Sequence, residues 1–337
     1  MTDIQKMRKD GILFAATGEG FPLPIIDITH PRFHVADDGP SIQALRERFV
    51  AEDERRRRVP KFLLRLMLRS MAKKSRLVRA LFGSGSTFLD GLSTYAMKLG
   101  ADNLVPPYDS PVDRRFASSP HIPLLRLRMQ QVAGMLADGL RDGLAASPQA
   151  PLHLINIGGG PAMDSLNTLM LLNRACPELM RRAMVVHVLD GDRTGPRFGA
   201  AALAALQSGG GPLSGLTIEF DHHPYDWNNT EPLQTLLSAP QMAGAILAAS
   251  SEGALFEYGS DRAIIDNLKI LRAGGVVLVA GSVTSASHAR RQMIAASRFR
   301  LYPRGAPGFA PLAESSGFRI ARDAETLLSD QVLLRST

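Results

Sequence analysis

The stretch that decides the fold is residues 152–162, whose sequence is Leu-His-Leu-Ile-Asn-Ile-Gly-Gly-Gly-Pro-Ala. It is an apolar run that ends in three consecutive glycines and leads into a helical pattern that continues to Leu172. Glycines at the end of a strand let a small ligand approach the backbone closely. A strand, a glycine turn and a helix in this order predict the first unit of an open parallel sheet, whose ligands bind at the carboxyl ends of its strands.

Short apolar runs and helical patterns alternate along the chain after this first unit. The run at 275–281 is rich in Val and Leu, which is typical of a strand buried on both faces. The last two runs are separated by about ten residues without a helical pattern, which predicts a hairpin at the edge of the sheet. The whole pattern predicts an α/β fold with a doubly wound, mostly parallel sheet of seven strands, at 152–157, 184–189, 216–225, 244–249, 275–281, 318–321 and 331–334. Helices between the strands are predicted at 199–207 and 260–271.

The sequence before the sheet has a different character. Helices are predicted at 60–69, 87–100 and 122–144, and the prolines and turn-forming residues of 102–111 predict a linker. Apolar residues cover more than half of the circumference of the helix at 60–69, so we expect it to be buried against another element. We place a domain boundary near Ser118, between a mainly helical N-terminal lid or substrate domain, residues 1–118, and the domain that holds the sheet, residues 119–337.

The net charge of +7 is concentrated in the N-terminal part. Residues 51–82 alone contain 11 Lys and Arg, including four consecutive arginines at 55–58, against three acids. A nucleic acid, an acidic membrane surface or an anionic substrate could use such a cluster. We favour a solvated helix face, because aromatic residues that would stack on bases are scarce there.

Other features of the composition narrow the class of protein. No apolar run approaches the roughly 20 residues of a bilayer-spanning helix, and the N-terminus lacks the apolar core of a signal peptide, so we expect a cytoplasmic protein. The single cysteine, Cys176, excludes an internal disulfide framework and a CxxC metal site. We expect Cys176 to pack near the end of a helix.

The spacing of the glycines separates two classes of ligand. A dinucleotide-binding turn has a third glycine three residues after the second, where this chain has Met163, and an acidic residue about 20 positions further on. The corresponding acid here, Asp190, lies 30 residues after Gly160. Both departures disfavour a dinucleotide, and S-adenosylmethionine is the other class of ligand that such a turn binds.

From about Ser119 to its end the chain resembles the class I S-adenosylmethionine-dependent methyltransferases. The resemblance lies in residues 156–162, Asp190, Asp226 with Trp227, 270–279 and the Gly-Phe turn of 316–320, in the order of the family's motifs. It implies a Rossmann-like domain that binds S-adenosylmethionine, with Asp190 on the ribose hydroxyls and Asp226 and Trp227 framing the adenine. The cofactor-binding set that we predict is Asn156, Gly158, Gly159, Gly160, Asp190, Asp226, Trp227 and Ser250. The chain departs from the family in having Asn156 in place of an aspartate, Ala162 in place of a third alternate glycine, and a longer first helix.

The segment after the fourth strand, residues 250–261, is rich in functional groups. Methyl transfer from a sulfonium is an in-line displacement, for which a protein supplies alignment and, for a weakly acidic hydroxyl, a base. We predict that Glu252 contacts or deprotonates the acceptor, that Tyr258 orients it and that Phe256 forms an apolar wall. Asp261 is predicted to be a helix N-cap. Three residues of the N-terminal part are candidate substrate contacts by position only, namely Tyr95, Tyr108 and His121.

The histidines do not predict a metal site. Asp27, His30 and His34 have a spacing that suggests one, but Pro31 breaks the helix that would align them. His222 and His223 point to opposite faces of a strand, so they cannot form one site together.

The sequence thus predicts a cytoplasmic methyltransferase that uses S-adenosylmethionine and acts on a small molecule. The family's Asn-Pro-Pro-Tyr type loop of base-modifying enzymes does not occur, which disfavours a nucleic-acid substrate. Two alternatives stay open: an RNA or protein methyltransferase that docks through the basic segment 55–79, and a cofactor-binding partner module without catalysis. A homodimer is compatible with the sequence, which does not fix the oligomeric state.

Overall fold

The computed structural model describes residues 3–57, 59, 61–83, 90–296 and 299–337. It contains a small two-stranded sheet near the N-terminus and a seven-stranded sheet at the centre. The strands are β1 (Phe14–Ala16), β2 (Pro22–Pro24), β3 (Leu152–Ile157), β4 (Met184–Leu189), β5 (Ile218–His223), β6 (Ile246–Ser251), β7 (Leu278–Thr284), β8 (Phe318–Glu325) and β9 (Ser329–Ser336).

The helices flank the central sheet and form most of the N-terminal region. They are α1 (Asp3–Lys9), α2 (Gly39–Arg57), α3 (Lys61–Lys74), α4 (Arg76–Gly83), α5 (Gly91–Lys98), α6 (Pro111–Ala117), α7 (His121–Ala146), α8 (Met163–Ala175), α9 (Thr194–Gln207), α10 (Glu231–Leu237), α11 (Leu255–Tyr258), α12 (Asp261–Ala273), α13 (His288–Ala296) and α14 (Gly305–Glu314).

The strand order of the central sheet is β5-β4-β3-β6-β7-β9-β8. The first five strands of this order are parallel, and β9 lies antiparallel between β7 and β8. This confirms the predicted mostly parallel sheet and its terminal hairpin. The hairpin strands are longer than predicted, because residues 322–325 of the outer strand and residues 329–330 and 335–336 of its partner continue the pairing. Exposed polar residues on an edge strand do not give the apolar signal on which the prediction relied.

Helices cover both faces of the sheet. Successive side chains of a strand point to opposite faces, so Leu154 and Val186 join the core beneath α7, α8 and α9, while Ile155 and Leu189 join the core with α10, α12 and α14. All six residues of β3 are buried, as a central strand of a doubly wound sheet requires. The edge of the sheet at which the parallel strands end is therefore anchored by β3, a strand with no solvent-exposed face.

The N-terminal region shares a hydrophobic core with the sheet. Leu23 and Tyr95 belong to the same buried cluster as Leu154 of β3. The side chain of Asn167 in α8 fastens the two parts, because it accepts a hydrogen bond from the Ile28 amide at 2.9 Å and donates one to the Ile26 carbonyl at 2.9 Å. The boundary near Ser118 falls between α6 and α7, and the division into two domains stays a prediction.

Several local predictions need correction. Leu66 and Met67 are 63% and 48% exposed, so the expected burial of the helix at 60–69 is wrong for these two residues. The side chains of 61–65 and of Arg56–Arg58 lie outside the described residues, as do residues 87–89 of the helix predicted at 87–100. The predicted linker ends in α6, which begins with Pro111 after the N-cap Ser110. Proline is favoured at the first position of a helix, but the prediction interpreted Pro111 as part of a turn. Cys176 is the C-cap of α8, as expected.

No helix in the described part of the chain is both long and apolar enough to cross a bilayer.

Candidate functional site

The glycine turn between β3 and α8 has an unusual backbone. Gly158, Gly160 and Ala162 have φ angles of +70°, +56° and +52°, so every second residue is left-handed. Glycine adopts this conformation freely, whereas an alanine there costs about 1 kcal/mol. Ala162 therefore keeps the backbone of an alternating glycine motif although the third glycine is missing.

Asp190 lies beside this turn, immediately after β4. Its Oδ2 accepts a hydrogen bond from the Gly160 amide at 2.9 Å, and its Oδ1 accepts one from the Asp192 amide at 2.8 Å. Burial raises the pKa of the Asp190 carboxyl, although both amides lower it. Asp190 therefore faces the glycine turn at the carboxyl ends of β3 and β4, where parallel sheets bind their ligands. Its predicted role on the ribose hydroxyls stays a prediction.

Two helices approach the turn so closely that only glycine fits. A Cβ atom on Gly91, the first residue of α5, would lie 2.7 Å from the Gly160 Cα, and a Cβ on Gly195 in α9 would lie 2.8 Å from it. Helix α5 of the N-terminal region thus lies directly against the glycine turn.

Asn156 lies buried beneath the turn. Its amide nitrogen is within hydrogen-bond distance of three oxygens, Asp164 Oδ1 at 2.8 Å, Ser250 Oγ at 3.0 Å and Ser165 Oγ at 3.1 Å. A carboxylate at position 156 could not donate to Asp164, which explains the amide. The Oδ1 of Asn156 and the Oδ2 of Asp164 are buried acceptors that find no donor among the described residues. Burial raises the pKa of Asp164, and the charge of Glu252 raises it further.

Glu252 follows β6 and is enclosed by two cations. Its carboxylate forms ion pairs with Lys98 of α5 and with the Nε of Arg128 in α7, and all three side chains are less than 10% exposed. Arg128 also binds Glu257 at 2.9 Å. Burial raises the pKa of Glu252, but the charges of Arg128 and Lys98 lower it more, so the net pKa lies below its ordinary value. Glu252 is therefore an ionised, fully engaged carboxylate.

The residues after Glu252 are packed inside the protein. The centroids of the Phe256 and Phe309 rings lie 4.7 Å apart in the core between β7 and α14, so Phe256 packs against a core residue where an apolar wall of the site was predicted. Burial, with a smaller contribution from the charge of Glu257, raises the pKa of Tyr258 to about 12. The prediction that Asp261 is an N-cap is wrong. Ser260 caps α12, because its side chain accepts a hydrogen bond from the Ala263 amide, and Asp261 forms an ion pair with Arg304 at 2.7 Å.

The two residues after β5 that were predicted to frame an adenine lie in different surroundings. The Trp227 ring is close to the turn, because a Cβ on Gly158 would lie 3.1 Å from it. Asn267 of α12 donates to the Trp227 carbonyl at 2.8 Å and fixes this part of the loop. Asp226 is exposed and accepts hydrogen bonds from the amide and side chain of Asn228.

The three candidate substrate contacts, Tyr95, Tyr108 and His121, interact with other residues of the N-terminal part. The Tyr95 hydroxyl donates to the Pro24 carbonyl and accepts from the Ile26 amide at 3.0 Å. Tyr108 packs edge-on against Phe21 and His121 packs against Phe49. His30 and His34 each contact a backbone carbonyl, of Asp10 and Ile28 respectively, and so do not converge on one point.

Sequence reasoning missed Lys98, Arg128 and Asp164, which complete the buried polar cluster at the strand ends. The sequence does contain a signal that could have identified Arg128 as a buried residue. It occupies a helical core position in α7, on the same face as Leu124 and Leu127, where a charged residue needs a buried partner.

Several solved structures are similar to this chain. A possible exported protein from Bordetella parapertussis matches 89% of this chain and 99% of its own, with a TM-score of 0.54 and 16% identity. An O-methyltransferase from neocarzinostatin biosynthesis, crystallised with S-adenosyl-L-homocysteine and a dihydroxynaphthoic acid, matches 55% of this chain and 49% of its own, with a TM-score of 0.36 and 18% identity. An O-methyltransferase family protein from Burkholderia thailandensis matches 67% and 60%, with a TM-score of 0.40 and 13% identity.

No protein-family model matches the sequence, and no curated protein matches it. At these identities the similarity concerns the fold alone. The central sheet, with five parallel strands and an antiparallel hairpin, is the α/β architecture that the resemblance led us to expect.

Proposed function

We propose that this chain is an S-adenosylmethionine-dependent methyltransferase that acts on a small molecule. The observation that carries the proposal is the hydrogen bond between the Gly160 amide and Asp190 Oδ2, which places a carboxylate and a glycine turn together at the carboxyl ends of β3 and β4. A carboxylate with free lone pairs suits the two hydroxyls of a ribose. When bound, S-adenosylmethionine supplies an electrophilic methyl group.

The residues under the turn fit the polar end of this cofactor. Asn156 Oδ1 and Asp164 Oδ2 are buried acceptors that find no donor in the described part of the chain. Such acceptors are costly unless a donor satisfies them, and the amino group of the cofactor is a donor of the right kind. We propose that Asn156 and Asp164 hold that group, with Asp190 on the ribose and Trp227 beside the turn. We also retain in the proposed cofactor-binding set Gly158, Gly159, Gly160, Asp226 and Ser250.

We assign Glu252 a positioning role instead of proton transfer. A carboxylate that is paired with Arg128 and Lys98 and has a lowered pKa is a weak base. The raised pKa of Tyr258 likewise makes its phenolate hard to form. The acceptor would therefore be one that loses its proton easily or needs no base, such as an acidic phenol or an amine.

Arg290 of α13 favours the acidic acceptor. Its Nε is buried and finds no hydrogen-bond acceptor among the described residues, and its charge acts on Tyr258. A buried guanidinium nitrogen that lacks an acceptor suits an anionic group of a ligand. We propose that Arg290 pairs with a carboxylate or phenolate of the substrate.

A cofactor-binding module without catalysis is the second candidate. The observation that favours it is the complete pairing of Glu252, the acid nearest to the end of β6. This candidate predicts cofactor binding without turnover. Docking of RNA or protein through residues 55–79, a cytoplasmic location and a homodimer remain predictions.

The test measures binding and turnover separately. We expect S-adenosylhomocysteine, and not NAD, to raise the Tm of the full chain, as a ligand of the native state must. Incubation with S-adenosylmethionine and a panel of acidic phenols, amines and neutral alcohols should then form S-adenosylhomocysteine with the phenols. Arg290→Gln should reduce this turnover, while Arg291→Gln, which changes an exposed neighbour on the same helix, should not. Stabilisation by NAD alone would overturn the proposal.

A further inference from the structure

Three histidines form a row across adjacent strands on one face of the sheet. His153 of β3, His187 of β4 and His223 of β5 have ring nitrogens 2.8 Å and 3.3 Å apart in turn. Asp221 stands directly opposite His187 in the parallel register, and its Oδ2 lies 3.8 Å from His187 Nδ1. The cluster therefore brings two imidazoles and a carboxylate to the outer end of the sheet.

The ligand atoms of His187, Asp221 and His223 all lie within 4.8 Å of one another. Tetrahedral zinc binds nitrogen and oxygen at about 2.0–2.2 Å, which places neighbouring ligand atoms roughly 3.3–3.6 Å apart. The distances of 3.3 Å and 3.8 Å from His187 Nδ1 match this spacing within a small rotation of the Asp221 side chain.

The surroundings of His187 suit a metal ligand. The His187 side chain is only 3% exposed, so the neighbouring strands hold it in place. Its other nitrogen, Nε2, is held 2.8 Å from His153 Nδ1. Metal-binding histidines usually have their second nitrogen fixed by such an outer partner.

We propose that His187, Asp221 and His223 form a binding site for a divalent transition metal of the zinc type. The metal would join β4 to the edge strand β5. The Asp221 side chain is 51% exposed, so water completes the coordination. The proposal does not depend on methyl transfer, because its ligands lie on the sheet face and not among the residues proposed to hold the cofactor.

The test uses the full chain, free of any affinity tag and stripped of metal with a chelator. Titration with Zn²⁺ in a calorimeter should give one equivalent, and Co²⁺ should produce the visible absorption of a tetrahedral nitrogen and oxygen site. We expect Asp221→Asn and His223→Gln each to weaken Zn²⁺ binding at least tenfold. Glu219→Gln removes the same charge from an exposed position two residues earlier on the same strand and should leave binding unchanged.

Equal affinities in the wild type, Asp221→Asn and His223→Gln would overturn the proposal, as would binding of much less than one equivalent. The cluster would then be a hydrogen-bonded row of histidines only. Circular dichroism of each variant before titration distinguishes the loss of a ligand from a loss of folding.

Discussion

Gly91 and Gly160 face each other so closely that a Cβ on either residue would lie 2.7 Å from the Cα of the other. Gly91 begins α5 and Gly160 is the last glycine of the turn after β3, so this approach joins the N-terminal region to the functional edge of the sheet. Backbone on both sides leaves no flexible side chain to move away. The pair therefore fixes the distance between α5 and the central sheet.

Gly91→Ala is expected to destabilise the protein by about 1–3 kcal/mol, because the new methyl group must push two backbone segments apart. The measurement is urea unfolding. Gly134→Ala is the control, since a Cβ there meets no atom within 4 Å in the helix α7 and should be neutral or slightly stabilising. Equal free energies of unfolding for the two variants would show that α5 does not rest on the turn.

Arg128→Met is expected to destabilise the protein by about 3–5 kcal/mol, because it leaves Glu257 without its cation and Glu252 with Lys98 alone in a buried site. Arg141→Met removes an exposed ion pair with Asp138 from the same helix and should change stability by less than about 0.5 kcal/mol. Chemical unfolding at pH 7 compares the two. A small loss in Arg128→Met would mean that the buried ion pairs do not hold α7 to the strand ends.

Asn156→Asp is expected to cost about 2–4 kcal/mol at neutral pH, because it would set a second carboxylate beside Asp164 Oδ1, now 2.8 Å from the Asn156 amide nitrogen. Exchanging the two groups in Asn156→Asp/Asp164→Asn restores a donor and an acceptor and should recover more than half of the loss. Unfolding of the two single variants and the double variant forms a thermodynamic cycle. Additive losses would contradict the hydrogen bond.

The raised pKa of Asp330 should make the free energy of unfolding depend on pH in the opposite direction to that expected for an ion-paired acid. Burial raises its pKa from 3.8 to about 6 although the Ala306 amide donates to it. The folded state then binds the proton more tightly than the unfolded state, so this residue's contribution to stability falls as the pH rises from about 4 to 6. Asp330→Asn keeps the acceptor and should remove this part of the slope, whereas Asp142→Asn, at an exposed position, should not. Parallel pH profiles for the wild type and Asp330→Asn would contradict it.

The mostly parallel sheet and the position of Asp190 at the end of its second strand could be predicted from local sequence, because an apolar run, a glycine turn and an acid after the next strand obey the geometry of parallel sheets. The pairing of Glu252 with Lys98 did not, since 154 residues separate them and only the packing of α5 on the sheet brings them together. The histidine row shows the same limit. His222 and His223 do point to opposite faces, but His223 finds its partner in His187 of the next strand, and that depends on the register of β4 and β5.

The proposed function depends most on Asp190 as the group that holds a sugar at the glycine turn. Calorimetric titration of S-adenosylhomocysteine into the wild type and Asp190→Asn tests this directly, because the amide keeps the size of the side chain and removes its charge. We predict binding in the micromolar range by the wild type and affinity at least tenfold weaker in Asp190→Asn. No heat with S-adenosylhomocysteine, or equal affinity in both proteins, would contradict the account.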